Sequence, residues 1–305
     1  MVHAIDATGL RKRFGRTDVL DGLDLTVAAG TVFALLGPNG AGKTTTINIL
    51  TTLVRPDEGS ARVAGYDVVA DADQVKQRIA LTGQSAAVDE VLTANENLVM
   101  LGRLSGLSRR DASARAEELA ERFGLSDAAN RRVGTYSGGM RRRLDLALSL
   151  VVDVPVIFLD EPTTGLDTRS RQELWSLIRS LADAGTTVFL TTQYLEEADR
   201  LADRIAVLDG GRIAAEGTAD ELKARIGGDV VELRSHDGGL LRELPTDGSV
   251  HGLRAAIDEL DRTPAAAAEG VQVTIRRPSL DDVFLAITAG DGTSDRTARD
   301  LIESK

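Results

Sequence analysis

The chain has 305 residues, 42% of them hydrophobic and 27% charged, with a formal net charge of −11 and no cysteine. This is a globular composition with room for one large domain and a smaller one; it excludes disulfides and thiol chemistry and, with three histidines, a histidine-rich metal site. The acidic balance weighs against nucleic acid as a partner, and no apolar run reaches the ~18 residues of a membrane span, since Leu144 to Leu159 is broken by Asp145, Asp153 and Pro155.

Residues 2–27 alternate apolar and polar in two runs broken at Gly15 to Asp18, which predicts a hairpin. Thr31–Leu36 reads as a buried strand and Thr45–Leu53 as a helix, and between them stands GPNGAGKT, residues 37–44. In that strand-to-helix context the spacing G-x-x-x-x-G-K-[ST] is a phosphate loop. Gly37, Gly40 and Gly42 let backbone amides turn toward phosphate oxygens, Lys43 reaches the β- and γ-phosphates, and the Thr44 hydroxyl can ligate Mg²⁺. Residues 57–69, with Gly59 and Gly65 as breakers, predict further β structure, and Ile79–Thr82 a short strand ending at Gly83-Gln84. From Thr93 to Phe123 the pattern is helical, opened by a capping box of Thr93 and Glu96 and closed by Gly124.

The stretch from Tyr136 to Asp167, YSGGMRRRLDLALSLVVDVPVIFLDEPTTGLD, carries the most chemistry. Ser137, Gly138 and Gly139 open a helix running to Val152, where backbone amides and the helix's positive end can grip an anion. Arg141, Arg142 and Arg143 read as the solvated face of that helix. The strand Val156–Leu159 then runs into Asp160-Glu161, a pair suited to one metal-binding acid and one water-activating acid. A helix from Thr168 to Ala184 follows, with Trp175 as core packing, then a strand at Thr187–Thr191, a helix at Tyr194–Leu201, and a hairpin of Arg204–Leu208 and Arg212–Ala215. Alternating strands and helices around a phosphate loop predict a mostly parallel α/β core over residues 1–227, with a helical subdomain at about 86–150. Beyond the break at Gly227-Gly228-Asp229, residues 228–290 predict a small α+β domain (strand 230–235, helix 250–261, strand 271–276, helix 279–289), and 291–305 a flexible tail. The run Ala265 to Ala268 reads as a loop or helix end.

These motifs, in this order, make residues 2 to about 226 resemble the nucleotide-binding subunit of an ATP-binding cassette (ABC) transporter. The resemblance implies ATP and Mg²⁺ as cofactors. It casts Gly37, Pro38, Asn39, Gly40, Ala41, Gly42, Lys43 and Thr44, with Thr45 after them, as the Walker A loop. It puts Phe14 on the adenine and makes Gln84 the Q-loop glutamine near Mg²⁺; it makes Ser137, Gly138 and Gly139 the signature. Asp160 becomes the Mg²⁺ ligand, Glu161 the general base, and Gly165-Leu166-Asp167 the D-loop. Gln193 stands where the family usually has a switch histidine, so it is expected only to position the γ-phosphate, leaving Glu161 as sole base and Lys43 to stabilise charge. The residues alone leave other readings open: Phe14 as a core aromatic, Gln84 as a surface turn, Gln193 as structural, Asp167 as a helix cap. Met140 replaces the signature's usual glutamine and Phe14 a more usual tyrosine.

More narrowly, the chain resembles the daunorubicin/doxorubicin-resistance type of ABC ATPase, through RRVGTYSGGMRRRLDLA at 131–147, TTQYLEEADRLADRI at 191–205 and PSLDDVFLAITAG at 278–290. That resemblance implies export of a drug or lipid-like compound through a separate permease. It also implies a second copy of the chain, with ATP sandwiched between Walker A of one and Ser137 of the other. The expected location is cytoplasmic, peripheral on the cytoplasmic face of the cell membrane through the permease, without direct insertion. The rival is a soluble ABC ATPase of DNA repair or translation, whose usual long coiled-coil insertion or second cassette is missing from the sequence. A non-hydrolysing regulatory module is disfavoured by Asp160 and Glu161, and a P-loop kinase or GTPase by the SGG before the acidic strand.

Overall fold

Two long strands, β1 (His3–Phe14) and β2 (Thr17–Ala28), form the expected hairpin across Gly15-Arg16 in the computed structural model, which describes residues 2–83, 88–264 and 270–288. Their alternation buries Ile5, Ala7, Leu10, Leu20, Leu23, Leu25 and Val27 on one face. After β3 (Val32–Leu36) and α1 (Lys43–Leu50), β4 (Glu58–Val63) and β5 (Tyr66–Asp67) extend this sheet in the order β2-β1-β4-β5.

A second sheet carries the site. After α2 (Ala72–Lys76) and β6 (Ile79–Thr82), its later members are β7 (Val156–Asp160), β8 (Thr187–Thr192), β9 (Arg204–Asp209) and β10 (Arg212–Gly217), in the order β10-β9-β3-β8-β7-β6. From β9 to β6 the pairing is parallel, and every residue of β3, β7 and β8 is buried, as for strands covered on both faces. Phe33, Phe158 and Phe189 stack across them, with ring centroids 5.6 and 5.5 Å apart. The register sets Leu36 beside Thr192 and Asp160 beside Thr191, so the phosphate loop, the acid pair and Gln193 all leave the sheet at its carboxyl edge.

Between β6 and β7 lie α3 (Ala94–Leu104), α4 (Arg109–Arg122) and α5 (Gly138–Ser149). The capping box closes as expected: Thr93 Oγ1 accepts from Glu96 N at 3.1 Å while the Glu96 carboxylate accepts from Thr93 N at 2.8 Å. The helices α6 (Thr168–Asp183) and α7 (Leu195–Leu201) complete this part.

The chain divides into compact units at 1–216 and 217–305. The division precedes the glycine break at 227–229 because α8 (Ala219–Ile226), a helix additional to those expected, buries Leu222 and packs with α10 (Leu280–Thr288) of the second unit. That unit also contains β11 (Asp229–Arg234), β12 (Leu240–Thr246), α9 (Val250–Asp261) and β13 (Gln272–Arg276), in an antiparallel sheet ordered β12-β11-β13. β12 is a further element beyond those the sequence suggested. Val231, Leu233, Ala256 and Leu260 form the core, and the buried Glu232 is held by Arg234 and Arg276, each at 2.8 Å.

Candidate functional site

The phosphate loop is shaped by glycines that nothing else could replace. Gly42 sits at φ 110°, and a Cβ there would lie 2.8 Å from Leu20 Cδ2 and 2.9 Å from the Val19 carbonyl; one on Gly37 would lie 2.6 Å from the Leu208 carbonyl. Lys43 is buried at the start of α1, its Nζ donating to the carbonyls of Gly37 at 2.8 Å and Pro38 at 3.2 Å.

The two neighbouring strand ends then converge on this loop. Thr44 Oγ1 lies 3.0 Å from Asp160 Oδ2, and Thr191 Oγ1 donates to Asp160 Oδ1 at 2.6 Å. Glu161 turns sharply, with φ 47°, a left-handed conformation that costs a non-glycine residue about 1–3 kcal/mol. Its N–H is held by both the carbonyl and the hydroxyl of Thr191, each at 3.1 Å. The result aims the carboxylate back at the loop, with Oε1 3.4 Å from Lys43 Nζ and Oε2 accepting from Thr164 Oγ1 at 3.3 Å. Lys43, Thr44, Asp160 and Glu161 are therefore assembled by contacts between segments more than a hundred residues apart.

Of the other predicted motifs, Gly138 and the Gly165-Leu166 turn line a cavity with Glu161. Phe14 is half exposed at the end of β1, with Lys12 Nζ over its ring at 5.5 Å from the centroid, so it is not a core aromatic. Gln193 is exposed just beyond β8. Ser137 caps α5, accepting from Met140 N at 3.2 Å, and both it and Gly138 are exposed. Gly139 is buried, and a methyl group there would overlap the Ser170 hydroxyl, so close packing of α5 on α6 demands this glycine. Asp167 does cap α6, accepting from Ser170 N and Oγ at 2.9 Å each. Gln84 lies outside the described residues.

Two further residues were not legible as site residues. Arg142 is not part of a solvated face: its side chain is 14% exposed and bonds to Gly83, Pro162 and Asp145. Glu197 is fully buried behind the site, its Oε1 accepting the Trp175 indole N–H at 3.1 Å. Burial pushes its carboxyl above the usual range, opposed by donors from Thr192, Trp175 and Thr163. A raised folded-state pKa gives stability that is complete below the ordinary glutamate range and is lost as pH rises through the folded value. The melting temperature of wild type minus that of Glu197→Gln is therefore expected to fall between pH 4 and 8; a difference independent of pH would exclude this.

The family model for ABC transporters matches residues 20–164. Over 322 aligned residues the chain is 51% identical to the daunorubicin/doxorubicin resistance ATP-binding protein of Streptomyces peucetius, an alignment covering 99% of this chain and 97% of that one. The chain belongs to the ABC transporter family. It is 40% identical over 296 residues to the Nod factor export ATP-binding protein I of Burkholderia lata, across 94% of this chain and 97% of the relative. Among solved structures, the dimeric post-hydrolysis state of an ATP-binding cassette bound to ADP and Pi superposes with a TM-score of 0.63 at 25% identity, over 70% of this chain and 98% of that one. The ABC subunit described here is thus a transport-coupled ATPase that binds ATP, and the DNA-repair or translation alternative falls away. No helix among the described residues is long and apolar enough to cross a membrane, and ABC subunits of this kind work with a permease.

Proposed function

We propose that this ABC ATPase energises export of a drug or other hydrophobic compound through a separate permease, with two copies of the chain sandwiching ATP. The drug reading rests on the near full-length identity to the daunorubicin/doxorubicin resistance protein. The 40% relative named for Nod factor export supports export as the shared feature, and in this reading the permease sets the cargo. The chain itself stays peripheral on the cytoplasmic membrane face, anchored by that permease.

In this reading the loop amides of residues 37–44 and Lys43 hold the β- and γ-phosphates, and Phe14 stacks on the adenine. Thr44 and Asp160 offer hard oxygen donors 3.0 Å apart, while no cluster of three acidic or histidine ligands exists among the described residues; that donor set fits Mg²⁺, which takes few protein ligands and completes its shell with phosphate and water. These two residues, joined by Gln84, would hold the ion, whose chemistry is to offset phosphate charge. Glu161 takes a proton from the water that attacks the γ-phosphorus, as the bond to the ADP oxygen breaks. Gln193 donates an amide hydrogen bond to the γ-phosphate and accepts no proton. Ser137, Gly138 and Gly139 face the nucleotide of the second copy, and Asp167 sits at the same dimer face while it caps α6.

The deciding experiment co-expresses the chain with a candidate permease and follows doxorubicin uptake into inverted membrane vesicles. ATP-dependent uptake, absent with Lys43→Ala, is expected. A chain that stays wholly soluble beside its permease sinks the transporter assembly, and vesicles that hydrolyse ATP without taking up doxorubicin sink the drug reading alone.

A further inference from the structure

The signature helix α5 and the acid-bearing end of β7 are separate elements of the first unit, and one side chain joins them. Arg142, in the second turn of α5, donates from Nε to the Pro162 carbonyl at 2.8 Å and from Nη1 to the Gly83 carbonyl at 2.9 Å, while Nη2 reaches the Asp160 carbonyl at 3.5 Å. Asp145, one turn along the same helix, pairs with Nη1 at 3.2 Å, and the two side chains are only 14% and 6% exposed. A guanidinium presents five donors in one rigid plane and stays charged when buried, so it can serve carbonyls of several segments together; an ammonium cannot match that fork.

The carbonyls chosen are informative. Asp160 and Pro162 flank Glu161, whose left-handed backbone persists only if its surroundings over-determine it. Thr191 fixes the N–H of Glu161 from the β8 side, and Arg142 fixes the chain on either side of it from α5. Gly83 is the last residue before Gln84. The cavity beside Glu161, about 400 Å³, is lined by Gly138, Arg142, Asp145, Glu161 and Gly165, so signature, D-loop and general base share one cavity with Arg142.

We propose that Arg142 is a positioning residue for ATP hydrolysis, holding the Glu161 turn and the start of the Q-loop in register with the signature helix. Closure of Ser137–Gly139 on the other copy's nucleotide is thereby carried to the acid pair of the same chain. The inference rests on the sandwich reading above.

The test compares Arg142→Met, Arg142→Lys and, as a control, Arg143→Met in the full chain with its permease. Among the described residues, Arg143 reaches away from the acid pair, to the Phe123 carbonyl and Glu173. ATP turnover is measured against ATP concentration, alongside binding of a fluorescent ATP analogue and thermal melting. Arg142→Met is expected to lower kcat by about 10- to 100-fold, the scale on which misplaced catalytic groups act, with KM and nucleotide binding within about twofold of wild type. Arg142→Lys keeps the charge but gathers its donors on one nitrogen, and is expected to recover part of kcat; Arg143→Met is expected to match wild type. A merely structural role would move melting temperature, binding and kcat together, and that result overturns the proposal. So does wild-type kcat in Arg142→Met or, if that variant does not fold, in Arg142→Lys. A wild-type complex that does not hydrolyse ATP overturns the function itself, and this inference with it.

Discussion

Glu161→Gln is expected to lower ATP turnover by about 10²- to 10⁴-fold, the range attributed to a positioned general base, while ATP binding survives. The substitution keeps the shape of the side chain and can keep the bond from Thr164. It removes the only feature that distinguishes a base, the ability to take a proton. Lys43 loses a carboxylate at 3.4 Å but retains its bonds to the Gly37 and Pro38 carbonyls, so the phosphate loop is not left with an unsatisfied buried charge. The size of the effect follows from Gln193. In a subunit with a histidine there, a second titratable group could share the work; an amide has no such capacity at any ordinary pH. Single-turnover phosphate release and fluorescent ATP binding separate the two effects. Turnover near the wild-type rate would remove Glu161 from its role, and loss of binding would mean that the carboxylate shapes the loop instead.

The residues at this site differ in how far sequence alone could reach them. Lys43, Thr44, Asp160 and Glu161 were legible because each sits at a fixed offset from a strand whose continuous apolar run announces a buried parallel position. The Glu161 turn was not: its φ of 47° depends on Thr191, thirty positions away on the next strand. The inward turn of Arg142 escapes the sequence for a related reason. Three consecutive arginines on a helix point in three directions, and only the packing of α5 against β6 and α6 decides that Arg142 meets the chain around Glu161, Arg143 meets Glu173, and Arg141 stays the most exposed. Glu197 reads as one of two acids opening a short helix, yet it is buried while Glu196 is exposed. In the second unit, α8 did carry a signal, a capping box of Thr218 and Glu221 that closes at 3.1 and 2.9 Å. β12 carried little: Pro245 demotes any strand pattern, and the strand survives because it lies at a sheet edge, where a missing N–H costs nothing.

Ser137→Arg is expected to abolish ATP hydrolysis altogether while one subunit still binds ATP. Locally the change is mild. Ser137 is exposed and caps α5 through a single bond from Met140 N, so its loss costs about 0.5–2 kcal/mol of helix stability. Neither Lys43, which holds the subunit's own phosphates, nor Thr44 and Asp160, which would hold its Mg²⁺, bonds to it. In a subunit that worked alone, such a substitution would therefore be nearly silent. In the sandwich, the same position faces the other copy's γ-phosphate, and a long side chain there occupies the space the nucleotide needs at both sites, because two-fold symmetry repeats the obstruction. The long arm, rather than the charge, prevents closure, so Ser137→Ala is expected to retain a large part of the activity. Mixing Ser137→Arg with Lys43→Ala chains gives the sharpest reading: a mixed dimer keeps one intact composite site only if Walker A and the signature of that site come from different chains. Partial recovery of turnover in the mixture, from two inactive parents, is expected. A mixture as inactive as its parents, from variants that fold and dimerise, would mean that signature and Walker A serve the same nucleotide within one chain.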